Sequence, residues 1–151
     1  MESERKPLAA IFDMDGTLVD VTSVRHYVTG RPRNFDRFHR ASAFCPPHRW
    51  VVDMARELHE GGVVVLVVTG RAAQYRQLSE DWLAKWEVPY SRLETRGFRD
   101  NRADFVVKEE ILLRLMAEYE IAMAVDDNPD VISLWQRYEI PVVEVPGWDH
   151  G

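Results

Sequence analysis

The chain has 151 residues, 46% hydrophobic and 29% charged, with a net charge of −6 and one cysteine. That length holds one buried core and is too short for two, so one domain over 1–151 is expected, and the lone Cys45 excludes an internal disulfide and fits a reducing compartment. No apolar stretch approaches the ~18 residues of a membrane span, and the charged Met1 to Lys6 is not followed by a signal-peptide core, so a cytoplasmic protein with no membrane partner is expected.

A first strand is expected over about 8–12, and it runs into Asp13-Met14-Asp15-Gly16-Thr17. Two carboxylates two positions apart on a tight turn at a strand end emerge beside freshly unpaired backbone N–H groups, which can hold phosphate oxygens. Carboxylates crowded together call for a cation, and oxygen ligands favour Mg²⁺ over zinc. Alone, the tetrad equally fits a helix-capping or calcium-binding loop. Next comes a basic insert at about 21–49, carrying Arg25, Arg31, Arg33, Arg37, Arg40 and Arg49 with His26, His39 and His48, against the single acid Asp36. A helix is expected over about 47–60, with Pro46-Pro47 in its first turn and Gly61-Gly62 as its stop.

The second strand, near 63–68, ends in Thr69-Gly70-Arg71, and a helix is expected over about 72–87. A third strand is placed near 91–95, where Leu93 is the only apolar residue of Arg92 to Arg96. The helix expected over about 104–119 has Asp104 as its cap, Val107, Ile111 and Leu115 as its inner stripe, and Lys108 able to reach the strand ends. A fourth strand near 121–125 ends in Asp126-Asp127, followed by a helix near 129–138 opened by Pro129 and a last strand near 140–145. Trp82, Trp86 and Trp135 are expected to pack helices on the sheet, and Trp148 to anchor the tail. Strands alternating with helices predict an α/β fold, a Rossmann-like parallel sheet flanked by helices, with Asp13, Thr69 and Asp126 converging at the carboxyl edge. Singly, Thr69 also fits an ordinary strand residue, Lys108 a solvated helix lysine and Asp126-Asp127 a helix N-cap; the ordered set is far more specific than any member.

With Asp13-x-Asp15-Gly16-Thr17, Thr69-Gly70-Arg71, Lys108 and Asp126-Asp127 in that order, the chain resembles the haloacid dehalogenase-like superfamily of phosphotransferases over nearly its whole length. Within it, three segments resemble the 3′-phosphatase half of phage-type polynucleotide kinase/phosphatases: Val67 to Arg71, Asp104 to Ile111, and Asp126-Asp127 with Val131 to Trp135 and Val143 to Gly147. The resemblance implies a phosphomonoesterase working through an aspartyl-phosphate. Asp13 would be the nucleophile, Asp15 the acid and then the base, Thr69 a donor to phosphate and Lys108 the charge partner. It implies Mg²⁺ held by Asp13, the Asp15 carbonyl, and Asp126 or Asp127. By the same resemblance Thr17, Gly70, Arg71 and Arg25 meet substrate, with His26 or Arg31 as alternatives to Arg25, and Asp104 supports Lys108.

Thr69 lies 56 positions after Asp13 and Lys108 lies 39 after Thr69, so neither gap holds a full cap domain once its secondary structure is subtracted. An open site suits a polymer end, and the basic insert, interleaved with Tyr27, Phe35, Phe38 and Phe44, suits a phosphodiester backbone and a stacked base. A solvated arginine-rich loop packed by its own aromatics is the plainer reading. The Gly-x-x-x-x-Gly-Lys-Ser/Thr loop of the kinase half is absent, so this chain alone is not expected to phosphorylate 5′ ends; it would be a free-standing phosphatase or one module of a longer assembly with a kinase or ligase module or subunit. The expected function is removal of 3′-phosphate from DNA or RNA ends. The rivals are a small-molecule phosphatase acting on a nucleotide or sugar phosphate, and a non-catalytic phosphate-binding scaffold.

Overall fold

In a computed structural model describing residues 5–147, five strands form one parallel sheet in the order β3-β2-β1-β4-β5. The strands are β1 (Leu8–Phe12), β2 (Val64–Ala72), β3 (Arg92–Arg96), β4 (Glu120–Asp126) and β5 (Val142–Glu144). The helices are α1 (His26–Thr29), α2 (Phe35–Ser42), α3 (Arg49–Glu60), α4 (Arg76–Lys85), α5 (Asp104–Met116) and α6 (Pro129–Arg137). The central strand β1 pairs with β2, Phe12 opposite Val67, and with β4, Phe12 opposite Val125. A strand covered on both faces needs an unbroken apolar run, and Leu8 to Phe12 supplies it. Its alternate side chains serve two cores. Ala10 and Phe12 join Val51, Val52, Ala55, Trp82 and Leu83 from α3 and α4. Ala9 and Ile11 join Val107, Ile111, Leu115, Leu134 and Trp135 from α5 and α6.

The chain leaves β1 toward β2 on one side and returns to β4 on the other, so the switch point lies between β1 and β4, where Asp13 follows β1 and Asp126 ends β4. No helix among the described residues is long and apolar enough to cross a membrane.

Several element boundaries differ from expectation. The second strand does not stop at Val68: β2 runs through Thr69-Gly70-Arg71 to Ala72, which pairs with Arg96, while Val68 pairs with Glu94. Four positions on β2 against two on β3 form a bulge that re-aims the motif side chains, and a 3₁₀ turn at Ala73–Tyr75 delays α4. The third strand survives its polar composition because β3 is an edge strand with only Leu93 turned into the core. The basic insert is partly helical: Asn34 caps α2 by accepting from the Arg37 N–H at 3.0 Å, and Phe38 and Ser42 are its buried side chains. Pro46-Pro47 precede the helix start, with His48 at the N-cap of α3. The N-cap of α5 is Ala103, and Asp104 is engaged elsewhere. The N-cap reading of Asp126-Asp127 is displaced one step along, since Asn128 caps α6 by accepting from the Asp130 N–H. Trp82 and Trp135 are fully buried between helix and sheet, and Trp86 packs at the margin of the first core. Trp148 lies outside the described residues.

Candidate active site

Asp13 leaves the sheet at the switch point, its backbone N–H still donating to Val125 O at 3.1 Å. The chain turns at once, with Thr17 N–H (3.1 Å) and Val19 N–H (2.9 Å) both donating to Met14 O. Gly16 adopts φ +84, and a Cβ there would lie 2.0 Å from Asp127 Oδ2, so the turn and the carboxylate beneath it together require glycine. His48 pins the turn from the insert side. Its Nδ1 meets Thr17 O at 2.8 Å, and because a carbonyl only accepts, that nitrogen carries the hydrogen.

Around this turn three carboxylates meet one ammonium. Lys108, buried on α5, donates to Asp13 Oδ1 at 2.9 Å and to Asp126 Oδ2 at 3.3 Å. The Thr17 hydroxyl shares its hydrogen between Asp127 Oδ1 (3.0 Å) and Asp13 Oδ2 (3.3 Å). Asp126 is further held by the N–H groups of Asp127 and Asn128 on Oδ1 and by Trp135 Nε1 on Oδ2. Burial, followed by the charges of Asp126 and Asp127 and only partly offset by Lys108, pushes Asp13 well above the usual carboxylate range. Burial and then Asp126 lift Asp127 to about 6. Lys108 goes the other way: burial opposes its charge, but Asp126 and Asp13 outweigh it and hold the ammonium charged.

Asp15 lives in a different environment two residues on. Arg71 grips it with two bonds, Nε to Oδ2 at 3.0 Å and Nη2 to Oδ1 at 2.6 Å. Arg71 also donates to Ser79 Oγ (3.0 Å) and Ser42 Oγ (2.9 Å), and its side chain is fully enclosed. Burial opposes ionisation of Asp15, but the paired guanidinium more than reverses it and holds the carboxyl below its ordinary value. Arg71, expected to meet substrate, has its guanidinium bonded to Asp15 and to the two serines.

Gly70 packs closely on Asp104, the residue expected to support Lys108. A Cβ on Gly70 would lie 2.2 Å from Asp104 Oδ1, and Arg96 binds both, donating to Gly70 O at 2.6 Å and pairing with Asp104. Asp104 thus fastens the β2 bulge to the start of the helix that carries Lys108. Thr69 is buried on the bulge, its Oγ1 accepting from the Arg71 N–H at 3.2 Å. Arg25 is the insert arginine that reaches the cluster, 4.0 Å from Asp127 Oδ2, while it donates to Gly147 O at 2.6 Å.

Ser42, Ser79, Arg96 and the Trp135 indole N–H escaped the sequence reading, and no local signal marks them. His39 was read only as part of the basic patch, but its Nδ1 lies 3.7 Å from Asp15 Oδ2.

Asp13, Asp126 and Asp127 present carboxylate oxygens all within 4.8 Å of one another, all buried. Three carboxylates against Lys108, with Arg25 4.0 Å away from Asp127 Oδ2, carry an excess of negative charge, and Asp127 Oδ2 is a buried atom with no hydrogen-bond partner. That all-oxygen donor set suits a hard divalent cation. With an attackable carboxylate beside it and a second carboxylate gripped by Arg71 across the turn, the arrangement can carry out phosphoryl transfer.

The family model for the polynucleotide kinase PNKP phosphatase domain matches residues 7–149. A chain of the Pnkp1/Rnl/Hen1 complex superposes with a TM-score of 0.82 at 28% identity, covering 97% of this chain and 48% of that one. A second structure, of the Pnkp1/Rnl/Hen1 RNA repair complex, gives 0.78 at 28% identity over 93% of this chain and 42% of that one. The chain therefore spans about half the length of these two relatives. The class C acid phosphatase of Bacillus anthracis with tungstate bound shares the fold, with a TM-score of 0.71 at 12% identity over 97% of this chain and 70% of that one.

Proposed function

The chain belongs to the family of polynucleotide kinase PNKP phosphatase domains, and from that premise we propose that it is a Mg²⁺-dependent polynucleotide 3′-phosphatase acting through an aspartyl-phosphate on Asp13. The observation that carries the reading is the pair of carboxylates two residues apart in opposed environments. Asp13 sits among like charges with Lys108, and Asp15 is ionised by Arg71. Such a divergence assigns different roles to neighbouring acids.

Asp13 attacks phosphorus, a P–O bond forms to its carboxylate, and the bond to the 3′ oxygen breaks with that oxygen taking a proton from Asp15. A water then attacks the same phosphorus, gives its proton to Asp15, and releases inorganic phosphate with Asp13 restored. Arg71 keeps Asp15 ionised in the free protein, ready for the second step. The phosphate's own negative charge raises the proton affinity of Asp15 and readies it for the first. Thr69 donates to a phosphoryl oxygen and Lys108 offsets charge as Asp13 becomes an acyl phosphate. When bound by Asp13, Asp126, Asp127 and the Asp15 carbonyl, Mg²⁺ supplies charge neutralisation at the phosphoryl group.

The polymer preference rests on the family, on the likeness to a chain of an RNA repair complex, and on the exposed Arg31, Arg33 and Arg37 of the insert. The insert's charge is not all available, because Arg40 is paired with Asp36. A kinase or ligase module is the partner this reading expects. The test is phosphate release from a 3′-phosphorylated oligonucleotide, its 5′-phosphorylated counterpart and a 3′-mononucleotide, each with Mg²⁺ and with EDTA. Metal-dependent release selective for the 3′-phosphorylated polymer is expected; preferential turnover of the mononucleotide would move the function to metabolite hydrolysis.

Metal binding also predicts a pH-dependent stability. The proton on Asp127 is held to about 6 in the folded protein against 3.8 ordinarily. A raised folded-state value stabilises fully below about pH 4, and that stabilisation is lost as pH climbs through about 6. Since the ligand must be deprotonated, the rise in Tm produced by Mg²⁺ is expected to be small at about pH 5 and to grow through about pH 7. A gain that is flat across that range would remove Asp127 from the ligand set.

A further inference from the structure

The carboxyl edge of the sheet has a second rim, residues 97–102 between β3 and α5, that the catalytic geometry leaves unexplained. Arg96 fastens it from within. Besides its bonds to Gly70 O and Asp104, its Nη1 donates to Asp100 O at 3.0 Å and to Arg102 O at 2.7 Å. Arg102 in turn pairs with Asp100, at 2.7 Å, and with Glu110. The loop is therefore braced, and it is tied through Gly70 to the same bulge that carries Thr69 and Arg71.

On this frame Phe98 stands 62% exposed. The Arg99 guanidinium carbon lies 5.2 Å from the Phe98 ring centroid, and Arg99 holds a φ of 65, a conformation non-glycine residues rarely adopt. The other two arginines of the region are spent on carbonyls and carboxylates, whereas among the described residues no carboxylate pairs with Arg99. A braced backbone that keeps an aromatic face in water, next to a cation without a carboxylate, on the rim of a phosphate site, matches the chemistry of a base and its phosphodiester.

We propose that Phe98 and Arg99 form a stacking platform for a single-stranded nucleic-acid end. Phe98 takes the face of a base near the terminus and Arg99 takes a backbone phosphate, while the terminal phosphate sits at Asp13. The platform rests on the polynucleotide reading above and adds, after edge strand β3, a contact surface separate from the α1–α2 insert. Stacking of this kind is tolerant of base identity, so it predicts strand binding with weak sequence preference.

The test compares wild type, Phe98→Ala, Phe98→Trp and Arg99→Ala on a 3′-phosphorylated oligonucleotide and on p-nitrophenyl phosphate. In parallel, oligonucleotides carrying 2-aminopurine near the 3′ end are bound to the Asp13→Asn protein with and without Phe98→Ala. Phe98→Ala is expected to lower the ratio of kcat/KM for oligonucleotide to that for the aryl phosphate by about tenfold, mainly through KM. Phe98→Trp restores the ratio, and the 2-aminopurine quench disappears with Phe98. Arg99→Ala is expected to reduce the salt dependence of oligonucleotide binding by about one phosphate contact. If the wild type prefers the oligonucleotide but Phe98→Ala changes both substrates alike and leaves the quench intact, the platform is wrong and the polynucleotide reading stands. If the wild type hydrolyses the aryl phosphate but neither binds nor cleaves the oligonucleotide, both fall together.

Discussion

Asp13→Asn is expected to lower phosphatase turnover by on the order of 10⁴-fold or more, with the protein still folded. The separation of activity from stability follows from the contacts. An amide at position 13 keeps an oxygen for the Lys108 ammonium, now at 2.9 Å from Asp13 Oδ1, and places an NH₂ where Thr17 Oγ1 can accept. It also removes one of three crowded, buried carboxylates, whose mutual repulsion and burial hold Asp13 well above its ordinary value. Stability without metal should therefore be equal or higher, while the nucleophile is gone. The measurement is kcat with saturating Mg²⁺ beside a denaturant midpoint. A variant that keeps more than about a hundredth of wild-type turnover after repurification would rule out a covalent route through this residue.

Arg71→Ala should be the more damaging change to the fold, and Arg71→Lys the more informative one. The guanidinium is fully enclosed and bonded to Asp15, Ser42 and Ser79. Alanine leaves a largely buried carboxylate without its paired cation and takes a donor from two serine hydroxyls that keep only their bonds to His39 O and Tyr75 O, a loss of about 3 kcal/mol or more of stability. Lysine restores a positive charge but not the fork, and one ammonium cannot reach both oxygens of Asp15 and both hydroxyls in that geometry. Arg71→Lys should therefore recover much of the stability yet remain about 10² to 10⁴-fold slow. Because Arg71 is what brings Asp15 below its ordinary value against the pull of burial, its loss raises that value, and the acidic limb of the pH–rate profile should move upward. A loss confined to KM with an unmoved acidic limb would instead make Arg71 a direct phosphate contact.

How much of this was legible beforehand depends on the range of the interaction involved. β1 could be read because a strand buried on both faces must be apolar throughout, and Asp13, Asp15 and Gly16 because their spacing along one turn already states their geometry. Pro129 at the start of α6 and the Val107, Ile111, Leu115 stripe of α5 followed from local rules of the same kind. For Arg71 and Asp104 the spacing along the chain names no partner. What each binds lies 56 positions away at Asp15 in the first case and at Arg96 and the close approach of Gly70 in the second.

The bulge that carries β2 through Thr69-Gly70-Arg71 is a property of pairing with Arg96 on β3, and no residue of β2 announces it. Ser42 and Ser79 are ordinary helix residues until the packing of α2 and α4 brings them to one guanidinium.

The sequence by itself determined the order of the five strands and of the four helices outside the insert, the placement of three polar motifs near strand ends with Lys108 on the helix between two of them, and hence the kind of chemistry, because hydrophobic periodicity and turn residues act over a few positions. The tertiary structure alone decided that Asp13 and Asp15 occupy opposed electrostatic environments. Burial, Lys108 from α5, Asp126 at the end of β4 with Asp127 after it, and Arg71 from β2 set those environments through contacts between segments far apart in the chain, whose strength depends on distance and on exclusion of water.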